Sequence, residues 1–229
     1  MLCPAPPLLA RDLTGRDPLL PELREACASA VSWLVSDAPE LVVVTGAAAG
    51  TADWDPESRL DLSAYAPALG PGGPDLEPGL PLSLGLGALL LDQAGYSGPR
   101  ILPSVADGEP PAACAALGER LANAAPRAVL LAMGDGSARR STTAPGYLDE
   151  RAIPFDTGIE QAVRDGDLAT LAATDPGLAR DLMATGRPAW QVLAGALGPG
   201  RPDTGILYAD GPFGVGYLVA TFAAAWPPA

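Results

Sequence analysis

Apolar positions along this chain recur with two periods. From Pro21 to Ser36, Leu23, Cys27, Ala30, Val31 and Leu34 fall on one helical face, and Pro39 closes the segment. Leu41-Val42-Val43-Val44-Thr45 is instead a continuous β-branched run, the pattern of a parallel-type strand buried on both faces. Arg127 to Ala132 repeats that pattern. Leu80 to Ala94 is too long for a strand and reads as a buried helix, with Gly85 and Gly87 permitting close approach to a sheet. Pro99 to Val105 reads as a strand, placed near an edge by Pro103. Pro111 to Ala124 is an alanine-rich helix. Helices are predicted over Tyr147 to Arg164, interrupted or begun again at Pro154, over Asp167 to Thr174, over Gly177 to Thr185 and over Pro188 to Leu197. Asp175-Pro176 opens the third of these, and Gly198-Pro199-Gly200 stops the last. Thr204 to Tyr208 and Gly216 to Phe222 read as two closing strands. The alternation of strands and helices predicts an α/β protein. No repeat or linker divides it, so residues 1–229 read as a single domain.

Thr51 to Gly79 departs from both periods. It is rich in Pro, Gly and Asp, carries Trp54 and Tyr65, and reads as a long irregular excursion over the surface. The spacing of Asp53, Asp55, Glu57 and Asp61 does not fit an EF-hand loop, so these acids read as a solvated face.

Charge narrows the partners. The net charge is −13, with fourteen basic residues, all of them arginine. Such a field repels phosphate backbones and no basic stripe is visible, so nucleic acid is not an expected partner. Cys3, Cys27 and Cys114 are odd in number and widely spaced, which fits reduced thiols in a cytoplasmic protein better than a disulfide framework or a zinc site. No run reaches about 18 apolar residues without turn residues, so no membrane partner is expected. The first residues lack the charged region and apolar core of a signal peptide.

The candidate chemistry centres on Met133-Gly134-Asp135-Gly136-Ser137-Ala138-Arg139-Arg140, which follows a buried strand. A polar loop there is where α/β proteins usually place their sites. Gly134, Gly136 and the Ser137 amide can form a concave nest, with Arg139 and Arg140 as bidentate donors for a carboxylate or phosphate. The competing reading pairs Asp135 with an arginine and lets Ser137 cap the turn. Tyr147 and Tyr217 line the same cleft or pack in the core. The expected ligand-binding set is therefore Asp135, Ser137, Arg139, Arg140, Tyr147 and Tyr217. A serine triad lacks its histidine, a Ser-Lys dyad lacks its lysine, and no phosphate-binding glycine motif sits in a strand-turn-helix context.

Gly134-Asp135-Gly136-Ser137, Ala144-Pro145-Gly146-Tyr147, Phe155-Asp156 and Pro212-Phe213-Gly214-Val215-Gly216-Tyr217 resemble segments of the B-subunit-like domain of class III extradiol ring-cleavage dioxygenases. Cys3-Pro4-Ala5-Pro6-Pro7 resembles that family's first ligand loop. The resemblance implies a three-layer α/β/α fold with a central mixed, mostly parallel sheet. It also implies an Fe(II) site of two histidines and a carboxylate, with a further histidine as acid/base. In this chain those histidine positions fall at Ala5, at Ala47 or within one residue of it, and at Ala138, and the sequence has no histidine at all. The usual late glutamate is missing too, leaving Asp203 or Asp210 as substitutes. The expectation is a catalytically degenerate member without a cofactor, acting through a small anionic or aromatic ligand or through subunit association, since relatives often form oligomers. The alternative is an active Fe(II) dioxygenase, or another metalloenzyme, with replaced ligands.

Overall fold

β-Branched and leucine-rich runs assemble the centre of the molecule. A computed structural model describes residues 1–15, 19–69 and 79–223. Its strands are β1 (Leu2–Cys3), β2 (Leu41–Ala48), β3 (Ala52–Trp54), β4 (Arg100–Ala106), β5 (Ala128–Met133), β6 (Asp203–Asp210) and β7 (Tyr217–Ala223). They form one sheet in the order β3-β4-β2-β5-β1-β7-β6. β4, β2, β5 and β1 run parallel, with Val42 opposite Val129 and Cys3 opposite Met133. β3, β7 and β6 join antiparallel.

The helices are α1 (Arg11–Thr14), α2 (Pro21–Val35), α3 (Leu82–Gln93), α4 (Pro111–Ala122), α5 (Ala152–Arg164), α6 (Leu168–Ala172), α7 (Pro176–Asp181) and α8 (Arg187–Leu197). Side-chain alternation along β2 shows how they are layered. Val42 and Val44 pack with Leu23, Val31, Leu84 and Leu91 of α2 and α3. Val43 points the other way, to Cys114, Leu121 and Val192 of α4 and α8. Ile159, Val163, Leu171 and Trp190 extend that second layer over β1 and β7. The fold is thus α/β/α, with a mixed sheet and a parallel core. Gly87 touches Val44 and Met133, so α3 lies directly on the sheet, as its glycines suggest.

The structure departs from the sequence reading at four places. Ala52–Trp54 is an edge strand within the expected irregular excursion, with Trp54 Nε1 donating to Ser104 Oγ at 3.0 Å. It covers β4, so Pro103 stands one strand in from the edge. Ala47 lies within β2 rather than beyond it. The helix expected from Tyr147 begins at Ala152, which puts Pro154 in the first turn, where no intrahelical donor is needed. Residues 70–78, part of the expected excursion, lie outside the described residues.

Candidate functional site

The connections after β1 and β2 lead to α2 and α3 on one face of the sheet. Those after β4 and β5 lead to α4 and α5 on the other. β5 therefore sends its loop away from both parallel neighbours, which makes its carboxyl end a topological switch point. That is the usual position of a ligand site in an open α/β sheet. Asp135 sits there.

Its placement follows from the two motifs on either side. In Pro4-Ala5-Pro6-Pro7 only Ala5 has a backbone N–H to donate. That N–H donates to Asp135 Oδ1 at 2.7 Å, joining the loop after β1 to the loop after β5. The Asp135 backbone is clamped from the other side. Its N–H donates to Thr185 Oγ1 at 3.1 Å, and its carbonyl accepts from Gly186 N–H at 2.8 Å. Burial pushes the Asp135 carboxyl up to about 7, against the Ala5 hydrogen bond. Tyr217, on β7, is 6% exposed. Burial, and after it the charge of Asp135, raises its phenol well above the ordinary range. The same two causes raise the phenol of Tyr65, which is half exposed.

The rest of the loop does something else. Gly136 N–H donates to Gly216 O, Gly216 N–H to Ser137 O, and Arg140 N–H to Gly214 O, at 2.7, 2.8 and 3.1 Å. This short ladder encloses Asp156. Its Oδ1 accepts from Ser137 N–H at 2.8 Å and its Oδ2 from Ser137 Oγ at 2.6 Å. Arg140 Nε stands 3.7 Å from Oδ2. Gly136 and Gly216 both lie against this carboxylate, where a Cβ would collide with it. The three-amide nest expected from the sequence is therefore not formed: the Gly134 and Gly136 amides donate to the Cys3 and Gly216 carbonyls, and only the Ser137 amide meets a carboxylate, that of the chain's own Asp156.

Several expected roles change accordingly. Ser137 is fully buried and spent on Asp156, so it is not free to hold an external anion. Among the described residues the arginine partner belongs to Asp156, not to Asp135. The small cavity beside Arg140, about 60 Å³, is also lined by Asp156, Glu160 and Asp210, which makes it acidic rather than anion-friendly. Arg139 runs beside Gly146 and Met183, and its Nε is buried without a partner among the described residues. Tyr147 is 64% exposed and left-handed at φ 59°, so it points out of the core, whereas Tyr217 points in.

The three alanines are only partly brought together. Ala5 and Ala138 belong to one apolar cluster with Cys3, Met133 and Tyr217. Ala47 pairs with Val105, whose side chain packs on the opposite face with Val43 and Cys114. Gly46, one residue earlier, faces Ser83 of α3, whose Oγ donates to the Ala47 carbonyl at 2.8 Å. Asp203 lies at the far end of the sheet, opposite Ala223, so it cannot join Asp135. Asp210 pairs with Tyr217 but is exposed, and its Oδ1 accepts from Gly211 N–H.

An iron site of the kind the resemblance implies does not fit these residues. Ala5 and Ala138 offer methyl groups, and Asp135 is one carboxylate beside phenols. Among the described residues no three His, Cys, Asp or Glu side chains converge.

No protein-family model matches the sequence, and a comparison with curated proteins finds no match. Among solved structures, the chain is similar to an uncharacterized protein, JW3007, of Escherichia coli K12. The two share 16% identity over 84% of this chain and 90% of that one, with a TM-score of 0.52. At that identity the likeness supports the fold alone.

Sequence reasoning missed Asp156 and the Thr185-Gly186 clamp. Phe155-Asp156 stood out only through the resemblance, although a carboxylate beside Phe155 and Ile159 on an apolar helix face was a signal of burial. No helix of the described residues is long and apolar enough to cross a membrane.

Proposed function

We propose that this chain is a catalytically degenerate relative of the class III extradiol dioxygenases, and that its cleft binds a small molecule without opening a ring. The supporting observation is the hydrogen bond from Ala5 N–H to Asp135. It ties the two motifs that carry the resemblance into one crevice at the carboxyl ends of β1 and β5. Methyl groups stand there at Ala5 and Ala138, where the resemblance calls for imidazoles. With no histidine in the chain, neither a two-histidine iron site nor its acid/base can form. The acid/base alone typically contributes about 10²–10⁴-fold in rate.

Anaerobic reconstitution with Fe(II), metal analysis and oxygen uptake with a catechol panel test the lack of turnover. The expected result is substoichiometric iron and no ring opening. Near-equimolar iron with turnover would establish the alternative, an active enzyme with replaced ligands. Calorimetric titration with the same catechols and a set of aromatic acids and ketones tests binding.

Subunit association is favoured by a separate observation. Tyr147, Met183 and Phe213 are exposed, and each holds a left-handed backbone at φ 57–59°. Such a conformation costs a non-glycine residue about 1–2 kcal/mol, and here it presents large apolar groups to solvent. Gly146, beside Tyr147, touches Met183, and Gly214, beside Phe213, touches Ala144. Light scattering on the purified chain reads the outcome directly. A monomer at high concentration would remove the association reading.

A further inference from the structure

We infer that a gap at the amino end of the sheet is a docking slot for one extended strand of another polypeptide, apolar in sequence and basic at its amino end. The slot lies at the opposite end of β5 from Asp135, so it stands apart from the small-molecule reading above.

The gap follows from the strand lengths. β1 has two residues and stands between β5, with six, and β7, with seven. Leu2 and Cys3 meet Ala132 and Met133 of β5, and Leu2 meets Ala220 of β7. Nearer the amino end of β5, Ala128, Val129 and Leu130 pair with β2 alone. Beside them, Thr221, Phe222 and Ala223 of β7 pair with β6 alone. Among the described residues no strand lies between these two triplets. The space is one strand wide, about 10 Å across, because β5 and β7 each stand one strand spacing from β1.

Two further observations show that the sheet is open there. Val129 and Leu130 are only half-buried, whereas Leu131, Ala132 and Met133 of the same central strand are buried. A cavity of about 340 Å³ also lies there, bordered by Trp33 and Leu34 of α2 and by Leu193 and Leu197 of α8. α2 and α8 cover opposite faces of the sheet, so one cavity reaches both only through an opening between strands.

Backbone chemistry names the occupant. Gly134 N–H donates to Cys3 O and Ala132 N–H to Met1 O, each at 2.9 Å. The Met1 amine gives the last rung, to Leu130 O at 2.6 Å. By the same two-residue alternation, the N–H groups of Leu130 and Ala128 point into the gap. A small apolar molecule would fill the volume and leave such groups unpaired, which is costly away from water. An extended peptide pairs them, running parallel to β5 and antiparallel to β7 as β1 does. Its side chains alternate between Trp33 and Leu34 on one face and Leu193 and Leu197 on the other, which calls for apolar residues. Its amino end emerges beside Asp37, which borders the cavity, and toward Asp203, opposite Ala223. Arg127 borders the cavity too, but it is paired with Glu40 at 3.3 Å. A basic residue at that end therefore complements the slot, on a chain of net charge −13.

The probe is an acetylated and amidated peptide of one lysine followed by four valines. It is titrated calorimetrically into the whole chain, with amide hydrogen exchange as a second readout. The peptide is expected to bind and to slow exchange at Ala128 to Leu130. N-methylation of a central valine amide should weaken it roughly tenfold, the worth of one hydrogen bond. Glutamate in place of the lysine should weaken it as well. Fusing the same residues ahead of Met1 should slow the same amides and abolish binding of the free peptide. The wild-type titration needs no variant, so a fusion that fails to fold leaves the test intact. No binding at about 1 mM peptide, equal affinity after N-methylation, or protection confined to other segments overturns the inference. So does a dimer that the peptide splits, since a second copy of the chain would then be the occupant.

Discussion

Arg187 carries the largest buried polar commitment in the molecule, and replacing it with methionine should destabilise the fold by about 3 kcal/mol. The side chain is 1% exposed. Nη1 donates to Glu109 O at 2.6 Å and to Gln191 Oε1 at 2.9 Å, Nη2 donates to Asp107 O, and Cys114 Sγ lies 3.9 Å from Nη1. Gln191 is fully buried too, and its Nε2 passes the network on to Ala172 O and Thr174 O at 3.0 and 2.9 Å. One guanidinium thus pins the β4–α4 turn to α8, and through Gln191 to the end of α6. Among the described residues no carboxylate forms an ion pair with it.

The sign depends on two opposed effects. Methionine fills most of the stem's volume and removes a buried charge, which recovers desolvation energy of several kcal/mol. It also leaves Asp107 O, Glu109 O and Gln191 Oε1 without a donor, at about 1–3 kcal/mol each, and forfeits three charge-assisted bonds. The second effect wins because backbone carbonyls cannot be redesigned away with the charge. Thermal unfolding followed by circular dichroism measures the difference. At this chain length it should appear as a midpoint temperature lower by about 6–12 °C. Arg187→Lys should lose about half as much, since an ammonium has no planar fork. Gln191→Leu in a double-mutant cycle with Arg187→Met should couple by about 1 kcal/mol or more. A methionine variant as stable as the wild type would show that the charge is a burden the fold merely tolerates. The consequence reaches the site, because Gly186, next in the chain, holds the Asp135 carbonyl.

The two carboxylates of the central loop give two more expectations. The folded-state carboxyl of Asp135 titrates at about 7, against an ordinary 3.8, so the native state keeps its proton longer than the unfolded chain does. Its contribution is fully present below about pH 4 and is lost as pH rises toward 7. Asp135→Asn should therefore stabilise the chain at pH 8 by up to about 4 kcal/mol and have little effect near pH 4, and denaturation midpoints across that range that run parallel for the two proteins would contradict this. Ser137→Ala removes the 2.6 Å bond to Asp156 Oδ2, and should cost about 2–3 kcal/mol at neutral pH. Burial already raises the Asp156 carboxyl, so the loss should shrink as acid protonates it, and a loss independent of pH would mean that Asp156 is not charged in the native state.

The sheet was legible where residues are buried by their own pattern. Leu41 to Thr45, Arg127 to Ala132 and Gly216 to Phe222 are strands because continuous β-branched or apolar runs have no exposed face to offer a helix. The side-chain cap at Asp175 read equally well, since it needs only an acceptor and a free amide three residues on. β3 could not be read, because three residues carry no period and its pairing depends on Trp54 reaching Ser104, fifty positions away. Arg187 could not be read either. At the first turn of an amphipathic helix an arginine looks solvated, and only the arrival of the β4–α4 turn buries it. The site divided along the same line. That the loop after β5 gathers polar groups was legible from its residues, but which carboxylate enters it was not, since Asp156 comes from α5.

That division explains why one loop surrounds two acids so differently. Asp156 receives an amide, a hydroxyl and a nearby guanidinium, so its charge is supported although it is buried. Asp135, a few residues away along the same loop, receives one amide from the proline-rich segment after β1, and nothing supports its charge further. Burial raises both carboxyls, and only that of Asp156 is opposed by a nearby arginine. Ser137 and Arg140, which help the loop look built for an external anion, serve Asp156 instead. What remains facing the crevice is a carboxyl, two phenols and the methyl groups of Ala5 and Ala138. Such a surface offers no imidazole to iron; its polar groups are a carboxyl and phenols in apolar surroundings.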